Sequence, residues 1–298
     1  MTCGGGLGGE YLPQAKVVDI TATGHVERIR AAVRALAGAG IDLLMLVGGD
    51  GFASYCAEEV ISHSFDLPLL CVAGGTANVG PLIGFDEEDL RELDIGRCVE
   101  RSASALQCSS GGRTLGYGFN DIVVGDTFLG SVDGKVVNIA LEPFLATGEK
   151  RPCRPSPVIT GPDFSVVRNG VSRRSSIARP SLIVAAPLNE IGFYRGKAAL
   201  GAVCMAPWTG KNAVLAISDR NWIDTEADTD GERLAVCEQL LFGAGDIIEI
   251  SGLSQAGQLL IDGNPFRREA GAVALSVSEN VVTVLLPATR KGKTYGKT

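Results

Sequence analysis

The sequence predicts an α/β protein in two parts. A doubly wound α/β domain spans residues 1–115, and a β-rich, sandwich-like domain spans 116–298, its C-terminal tail free to return to the first. Three observations carry this expectation. The first third alternates helical and strand-like apolar patterns; two of its apolar runs end in glycine turns; from about Leu115 the apolar stretches become short, with turn residues between them.

Val26, Ile29, Val33 and Leu36 recur at helical spacing, with Arg28, Arg30 and Arg34 between them, and Gly38-Ala39-Gly40 closes the pattern. Leu43–Val47 is then an unbroken apolar run, the pattern of a strand buried on both faces of a parallel sheet. It stops at Gly48-Gly49-Asp50-Gly51, and a helix is expected over Phe52–Ser62, with His63 at its end. A second run, Leu69–Ala73, ends in Gly74-Gly75-Thr76-Ala77-Asn78, where Thr76 or Asn78 has the chemistry to cap a following helix. In doubly wound sheets ligands bind at the carboxyl ends of the strands, where both glycine turns fall.

The second part reads as mostly antiparallel strands at Ile122–Val124, Val136–Leu141, Leu182–Ala186, Val214–Ile217, Ile247–Ile250, Leu259–Ile261, Val273–Leu275 and Val281–Leu286. The Pro- and Arg-rich stretch Arg151–Pro180 reads as a long, mobile excursion. At the start, Gly4–Gly9 fits G-x-G-x-x-G, but only Met1-Thr2-Cys3 precede it. That is too short for the strand the motif requires, so these residues read as the end of a first strand and its turn.

The net charge of −7, from 27 basic and 34 acidic residues, argues against a nucleic-acid partner, which needs a basic face. The basic residues cluster at Arg151–Arg179 and at Arg290–Lys297, the latter read as a solvated tail. No apolar run approaches the ~20 residues of a membrane span, so no integral membrane association is expected. The 8 cysteines form no C-x-x-C pair, and with only 2 histidines, His25 and His63, the composition argues against a zinc cluster. Reduced thiols in a cytoplasmic protein are the simplest expectation.

A Gly-Gly-Asp-Gly turn after a strand has a specific chemical use. Without Cβ atoms the backbone comes within hydrogen-bonding reach of phosphate oxygens. The carboxylate beside them is able to accept a proton from an attacking hydroxyl or to hold magnesium. A plain Asp-Gly turn is the bland alternative. Arg195 and Lys197 are a candidate phosphate-facing pair against the default of exposed loop charges. Tyr194 and Trp208 are candidates to stack on a base, against ordinary packing. Asp224–Asp230 reads as a solvated acidic turn.

Gly48–Gly51, Gly75-Thr76-Ala77-Asn78, Phe119-Asn120-Asp121-Ile122-Val123-Val124 and Asp262-Gly263-Asn264, in that order, resemble the NAD kinase and diacylglycerol/sphingosine lipid kinase superfamily. The pattern is most similar to its divergent branch associated with acetoin catabolism. The resemblance implies a nucleotide-binding α/β domain, a β-rich substrate domain and an active site in the cleft between them. It implies ATP and Mg2+, a small-molecule acceptor such as NAD and, as is common in that family, a homo-oligomer. Asp50 matches the base or metal-organising carboxylate; Gly48, Gly49, Gly51, Gly75, Thr76 and Asn78 match nucleotide contacts; Asn120, Asp121, Asp262 and Gly263 match acceptor-binding positions. The metal ligands are left open. Phe52 stands where both branches usually carry threonine, and Asn264 where lipid kinases carry glutamate. Gly192–Lys197 lies where NAD kinases have a Gly-Ser/Thr-Ala-Tyr segment but lacks the hydroxyl. Three functions follow: transfer of the ATP γ-phosphoryl group to NAD or a related small molecule, a lipid kinase, and a nucleotide-binding regulatory protein without catalysis.

Overall fold

The computed structural model describes residues 1–3, 7–75, 78, 80–189, 198–226, 234–269 and 271–288. The chain forms two compact units, Met1–Ser104 with Asn280–Thr298, and Ala105–Glu279. The basic stretch Arg290–Lys297 and residues 4–6 lie outside the described residues.

The main elements of the first unit are β1 (Thr2–Cys3), β2 (Val17–Val18), α1 (His25–Gly38), β3 (Leu44–Gly48), α2 (Asp50–Ser62), β4 (Leu69–Ala73), β5 (Ile83–Phe85) and α3 (Glu87–Leu90). β3, β4 and β5 are parallel, with Leu44 opposite Leu69 and Gly48 opposite Ala73. β4 is buried from Leu69 to Val72, as its unbroken apolar run predicts. β3 departs from the expectation of burial on both faces. Leu44 and Leu46 are buried, but Met45 and Val47 are 47% and 62% exposed. Among the described residues β3 pairs only with β4, so it is an edge strand with one covered side. Nor does a long helix follow the second glycine turn. The chain passes through Leu82 into β5 and then the four-residue α3.

α2 begins at Asp50, two residues earlier than its apolar pattern suggests, so Asp50 is the first helical residue. α1 packs against α2 partly through charge. Glu59 on α2 is almost fully buried and pairs with Arg34 (2.6 Å) and His63 (3.1 Å). Arg30 bonds Glu58 at 3.1 Å and lies over the Tyr55 ring at 5.8 Å. A buried carboxylate needs such partners to offset its lost hydration.

The second unit contains the last part of β6 (Cys98–Ser110), then β7 (Arg113–Gly118), β8 (Ile122–Gly125), β9 (Thr127–Val132), β10 (Lys135–Ala140), α4 (Leu141–Thr147), β11 (Thr160–Arg168), β12 (Val171–Arg173) and β13 (Leu182–Pro187). It continues with β14 (Ala213–Ser218), β15 (Cys237–Phe242), β16 (Ile247–Leu253), β17 (Gln258–Ile261), β18 (Asn264–Phe266) and the first part of β19 (Val273–Pro287). The order β15-β14-β13-β8-β17-β18 forms one antiparallel sheet. A second runs β12-β11-β16-β19. Ile122, Val124, Ile183, Leu215 and Leu259 from the first sheet share one buried cluster with Val166, Ile248, Ile250, Val273 and Leu275 from the second. Two inward faces meeting in this way make the sandwich that the spaced apolar stretches predict.

Two expectations are corrected. Val273–Leu275 and Val281–Leu286 belong to a single 15-residue strand, β19, whose exposed Glu279 and Asn280 interrupt the apolar pattern. Arg151–Pro180 is not a structureless excursion, because it carries the β11–β12 hairpin.

That hairpin is tied down by Asp246, a buried carboxylate just before β16. Arg168 donates to it through Nε (3.1 Å) and Nη2 (2.7 Å), Lys211 through Nζ (2.9 Å), Asn169 through Nδ2 (2.9 Å) and Gly243 through its N–H (2.9 Å). Burial alone would raise the Asp246 carboxyl, but Lys211, Arg168 and the two neutral donors hold it well below the usual aspartate range. A depressed folded-state value contributes stability above the ordinary aspartate pKa of about 3.9 and loses it as pH falls towards the folded value. Urea unfolding measured across a pH series should therefore show a steep acid limb below about pH 4. Asp246→Asn should lower stability at neutral pH and flatten that limb; an acid limb identical to that of the wild type would contradict the assignment.

Candidate active site

The first cluster lies at the carboxyl ends of β3 and β4. Gly49 is the N-cap of α2, in extended conformation and without a side chain to bond the helix's first amides. Asp50 follows at the positive end of the helix dipole, where a carboxylate is stabilised. Its Oδ1 accepts the Gly80 N–H at 3.1 Å, which ties the start of α2 to the chain beyond the second glycine turn.

The two turns touch through backbone. The Gly74 N–H donates to the Gly48 carbonyl at 2.9 Å, one register beyond the β3–β4 ladder. A Cβ on Gly75 would sit 2.6 Å from the Gly49 Cα, and one on Gly74 3.1 Å from the Gly48 nitrogen. A Cβ on Gly48 would meet the Phe52 ring at 2.5 Å. Gly75 is therefore required by the packing of turn against turn, before any ligand is considered, while a methyl at Gly74 or Gly48 would be tight against its neighbours. Asn78 closes the second turn on itself: its Oδ1 accepts the Gly75 N–H at 3.2 Å and its Nδ2 donates to the Gly75 carbonyl at 2.8 Å. It caps no helix. Thr76 lies outside the described residues.

Behind Asp50 stands Cys71 on β4, fully buried. Burial first, and then the Asp50 charge, push its thiol up to about 12. Cys56 on α2 is likewise raised by burial, with smaller contributions from Cys71 and Glu59. Both are neutral, unreactive thiols at physiological pH.

The second cluster lies within the second unit. β17 pairs with β8 so that Ile261 faces Ile122, which brings the hairpin turn Asp262-Gly263 beside the loop 119–121. The Asp262 carboxylate accepts three consecutive amides: Phe119 N–H on Oδ2 (2.9 Å), and Asn120 and Asp121 N–H on Oδ1 (2.8 and 3.0 Å). The Asp262 N–H returns to the Asp121 carbonyl at 3.0 Å. Asn120, Asp121, Asp262 and Gly263 are thus brought together.

Three contributors escape sequence reasoning. Gly80 holds Asp50. Gly118 leaves room for the loop, since a Cβ there would lie 2.9 Å from the Asp121 carbonyl oxygen. Asn189 donates from Nδ2 to the Phe119 carbonyl at 3.4 Å. The glycines carry a local signal, a small residue beside a turn; Asn189 carries none. Of the weaker candidates, Tyr194, Arg195, Lys197 and the rest of Gly192–Lys197 lie outside the described residues. Trp208 is 68% exposed and so packs into no core. Asp224 is paired with Arg154 at 3.1 Å, not simply solvated.

Residues 9–81, which include Gly48–Gly51, Gly75 and Asn78, match the diacylglycerol kinase catalytic domain. That match covers about a quarter of the chain, and over the rest the likeness is one of fold. A similar fold occurs in a protein described as a candidate diacylglycerol kinase from Bacillus anthracis str. Sterne. Its solved structure gives a TM-score of 0.51 at 12% identity, over 93% of this chain and 88% of that one. A yeast NADH kinase complexed with NADH gives 0.47 at 15% identity over 91% of this chain, and the chain spans 66% of that kinase, just under two thirds. An uncharacterized protein of Archaeoglobus fulgidus is 28% identical over 293 residues, 94% of this chain and 89% of that protein. No helix among the described residues is long and apolar enough to cross a membrane.

The packing of the turns has a measurable consequence. Gly75→Ala presses a methyl on backbone and should cost about 1–3 kcal/mol in urea unfolding. Gly48→Ala presses on the Phe52 side chain instead, so Phe52→Ala should partly relieve it. A double-mutant cycle should give a coupling of at least about 0.5 kcal/mol, and strict additivity would contradict the contact.

Proposed function

We propose that the protein is an ATP-dependent kinase that transfers the γ-phosphoryl group to a hydroxyl of NAD or a related small molecule. The observation that carries this reading is Asp50: a carboxylate at the first position of α2, directly after β3, anchored by the Gly80 N–H and set between two close-packed glycine turns. ATP is placed against Gly48, Gly49, Gly51, Gly75, Thr76 and Asn78, whose amides and helix end suit phosphate oxygens. The acceptor is placed at Asn120 and Asp121, a carboxamide and a carboxylate suited to hydroxyl groups.

In the transfer, the acceptor oxygen forms a bond to the γ-phosphorus while the bond from that phosphorus to the β–γ bridging oxygen breaks and ADP leaves. The hydroxyl proton passes to Asp50. Among the described residues no group of three or more His, Cys, Asp or Glu could hold a metal ion alone. Magnesium carried on nucleotide phosphates needs only one or two carboxylates, and with Asp50 as the proton acceptor the metal would be held mainly by the phosphates and water. When bound, it neutralises phosphate charge.

A lipid kinase is the second reading, favoured by the match of residues 9–81 to the diacylglycerol kinase catalytic domain. ATP consumption and product formation with NAD, and separately with diacylglycerol in mixed micelles, distinguish the two. With the productive acceptor, Asp50→Asn should lower kcat by about 10²–10⁴-fold while the melting temperature stays near that of the wild type. A well-folded Asp50→Asn protein with full activity would sink the assignment, and turnover of diacylglycerol alone would select the second reading.

A further inference from the structure

Four hairpins of the second unit are joined by two-residue turns with both residues at positive φ. Gly111-Gly112 (60°, 78°) joins β6 to β7, Asp133-Gly134 (51°, 76°) β9 to β10, Asn169-Gly170 (51°, 76°) β11 to β12, and Asp262-Gly263 (49°, 74°) β17 to β18. Aspartate and asparagine both suit the first position of such a turn, because each tolerates the left-handed region. Turn geometry therefore accounts for a short polar side chain at 262, but not for a carboxylate.

The carboxylate has a separate task. Asp262 is 6% exposed, and its two oxygens collect the amides of Phe119, Asn120 and Asp121 at 2.9, 2.8 and 3.0 Å. A carboxylate only accepts hydrogen bonds, and charged acceptors bind amides more strongly than neutral ones. Asparagine would keep the turn yet turn an NH2 group towards one of these donors. The turns at Asp133 and Asn169 share the backbone, but no amide of the loop 119–121 bonds to either side chain.

We infer that Asp262 is a positioning residue: it fixes the peptide planes of 119–121 and so sets how Asn120 and Asp121 are presented to the acceptor. This rests on the proposed placement of the acceptor at Asn120 and Asp121. It moves Asp262 from acceptor contact to the support of one. Gly118 bounds the same loop from the other side, where a Cβ would press on the Asp121 carbonyl oxygen at 2.9 Å and on Ile122 at 2.7 Å. The Asp262 N–H bond to the Asp121 carbonyl closes the clamp, so turn and loop hold each other.

The test is Asp262→Asn, read by amide hydrogen exchange and by steady-state kinetics with NAD as the probe. Exchange at Phe119, Asn120 and Asp121 should rise about tenfold or more, while amides of β8 and β17 keep their protection. KM for NAD should rise about tenfold, with KM for ATP within about twofold of the wild type. Asn120→Ala added to Asp262→Asn should cost less than it does alone, since the two act on one presentation. Should Asp262→Asn fail to fold, Gly118→Ala displaces the same loop and should give the same split between NAD and ATP. Exposed amides with an unchanged KM for NAD overturn the inference, as does an equal rise in both KM values. A wild type that phosphorylates diacylglycerol but not NAD overturns the NAD reading instead. The same split, measured in KM for diacylglycerol, then decides the role of Asp262.

Discussion

The first unit depends on one close approach, that of Gly48-Gly49 to Gly74-Gly75. The β3–β4 ladder carries the two strands side by side as far as Gly48 and Ala73, and the Gly74 bond to the Gly48 carbonyl extends the pairing into the turns. Any side chain at 75 would collide with backbone, which has no rotamer to yield. The turns are thus held as a unit before a ligand arrives, and Asp50 is held with them through Gly80. Preorganised backbone donors and a fixed carboxylate cost no rearrangement at the moment of reaction, which is where such groups gain their catalytic value.

The second unit is held differently, by carboxylates that bind several donors at once. Asp246 gathers two cations, a carboxamide and an amide, and joins the β11–β12 hairpin to the start of β16. Asp262 gathers three consecutive backbone amides. The difference matters: the Asp246 cluster joins strand ends, whereas the Asp262 cluster has a short loop with two half-buried polar residues, Asn120 and Asp121, as its product. Arg268 shows the complementary device, donating to the carbonyls of Gly257, Glu269, Gly271, Leu253 and Ser254, with burial lowering its guanidinium from the usual value.

Much of this was legible in the sequence where one physical signal dominates. The helical spacing of Ile29 and Val33 and the unbroken run at Leu69–Val72 specify α1 and β4, and both are buried as expected. Leu43–Val47 carries the same signal as β4 but ends up at a sheet edge. An apolar run reports preference for burial, not whether a neighbouring strand exists to provide it. The β11–β12 hairpin escaped because Pro, Arg and Ser fill its exposed faces, although Asn169-Gly170 between Arg168 and Val171 is a hairpin signal in its own right. At the site, Asp50 and the glycines were readable because the motif is contiguous. The Gly80 bond spans 30 residues, and the Asp262 bond to Phe119 spans 143. No local pattern encodes such distances.

Phe52 connects these points. At the third position of α2, its ring fills the space a Gly48 side chain would take, so the two residues are matched to each other. A hydroxyl-bearing residue at 52 would offer phosphate a donor; a phenyl ring offers none. What the turn presents to an anion is then backbone N–H and the helix end, with Asp50, on the proposed reading, as the reacting side chain. Backbone donors recognise phosphate as a class and do not distinguish one phosphorylated molecule from another. Selectivity for the acceptor must therefore come from side chains elsewhere, and on this reading that requirement falls on Asn120 and Asp121, whose geometry the Asp262 carboxylate governs.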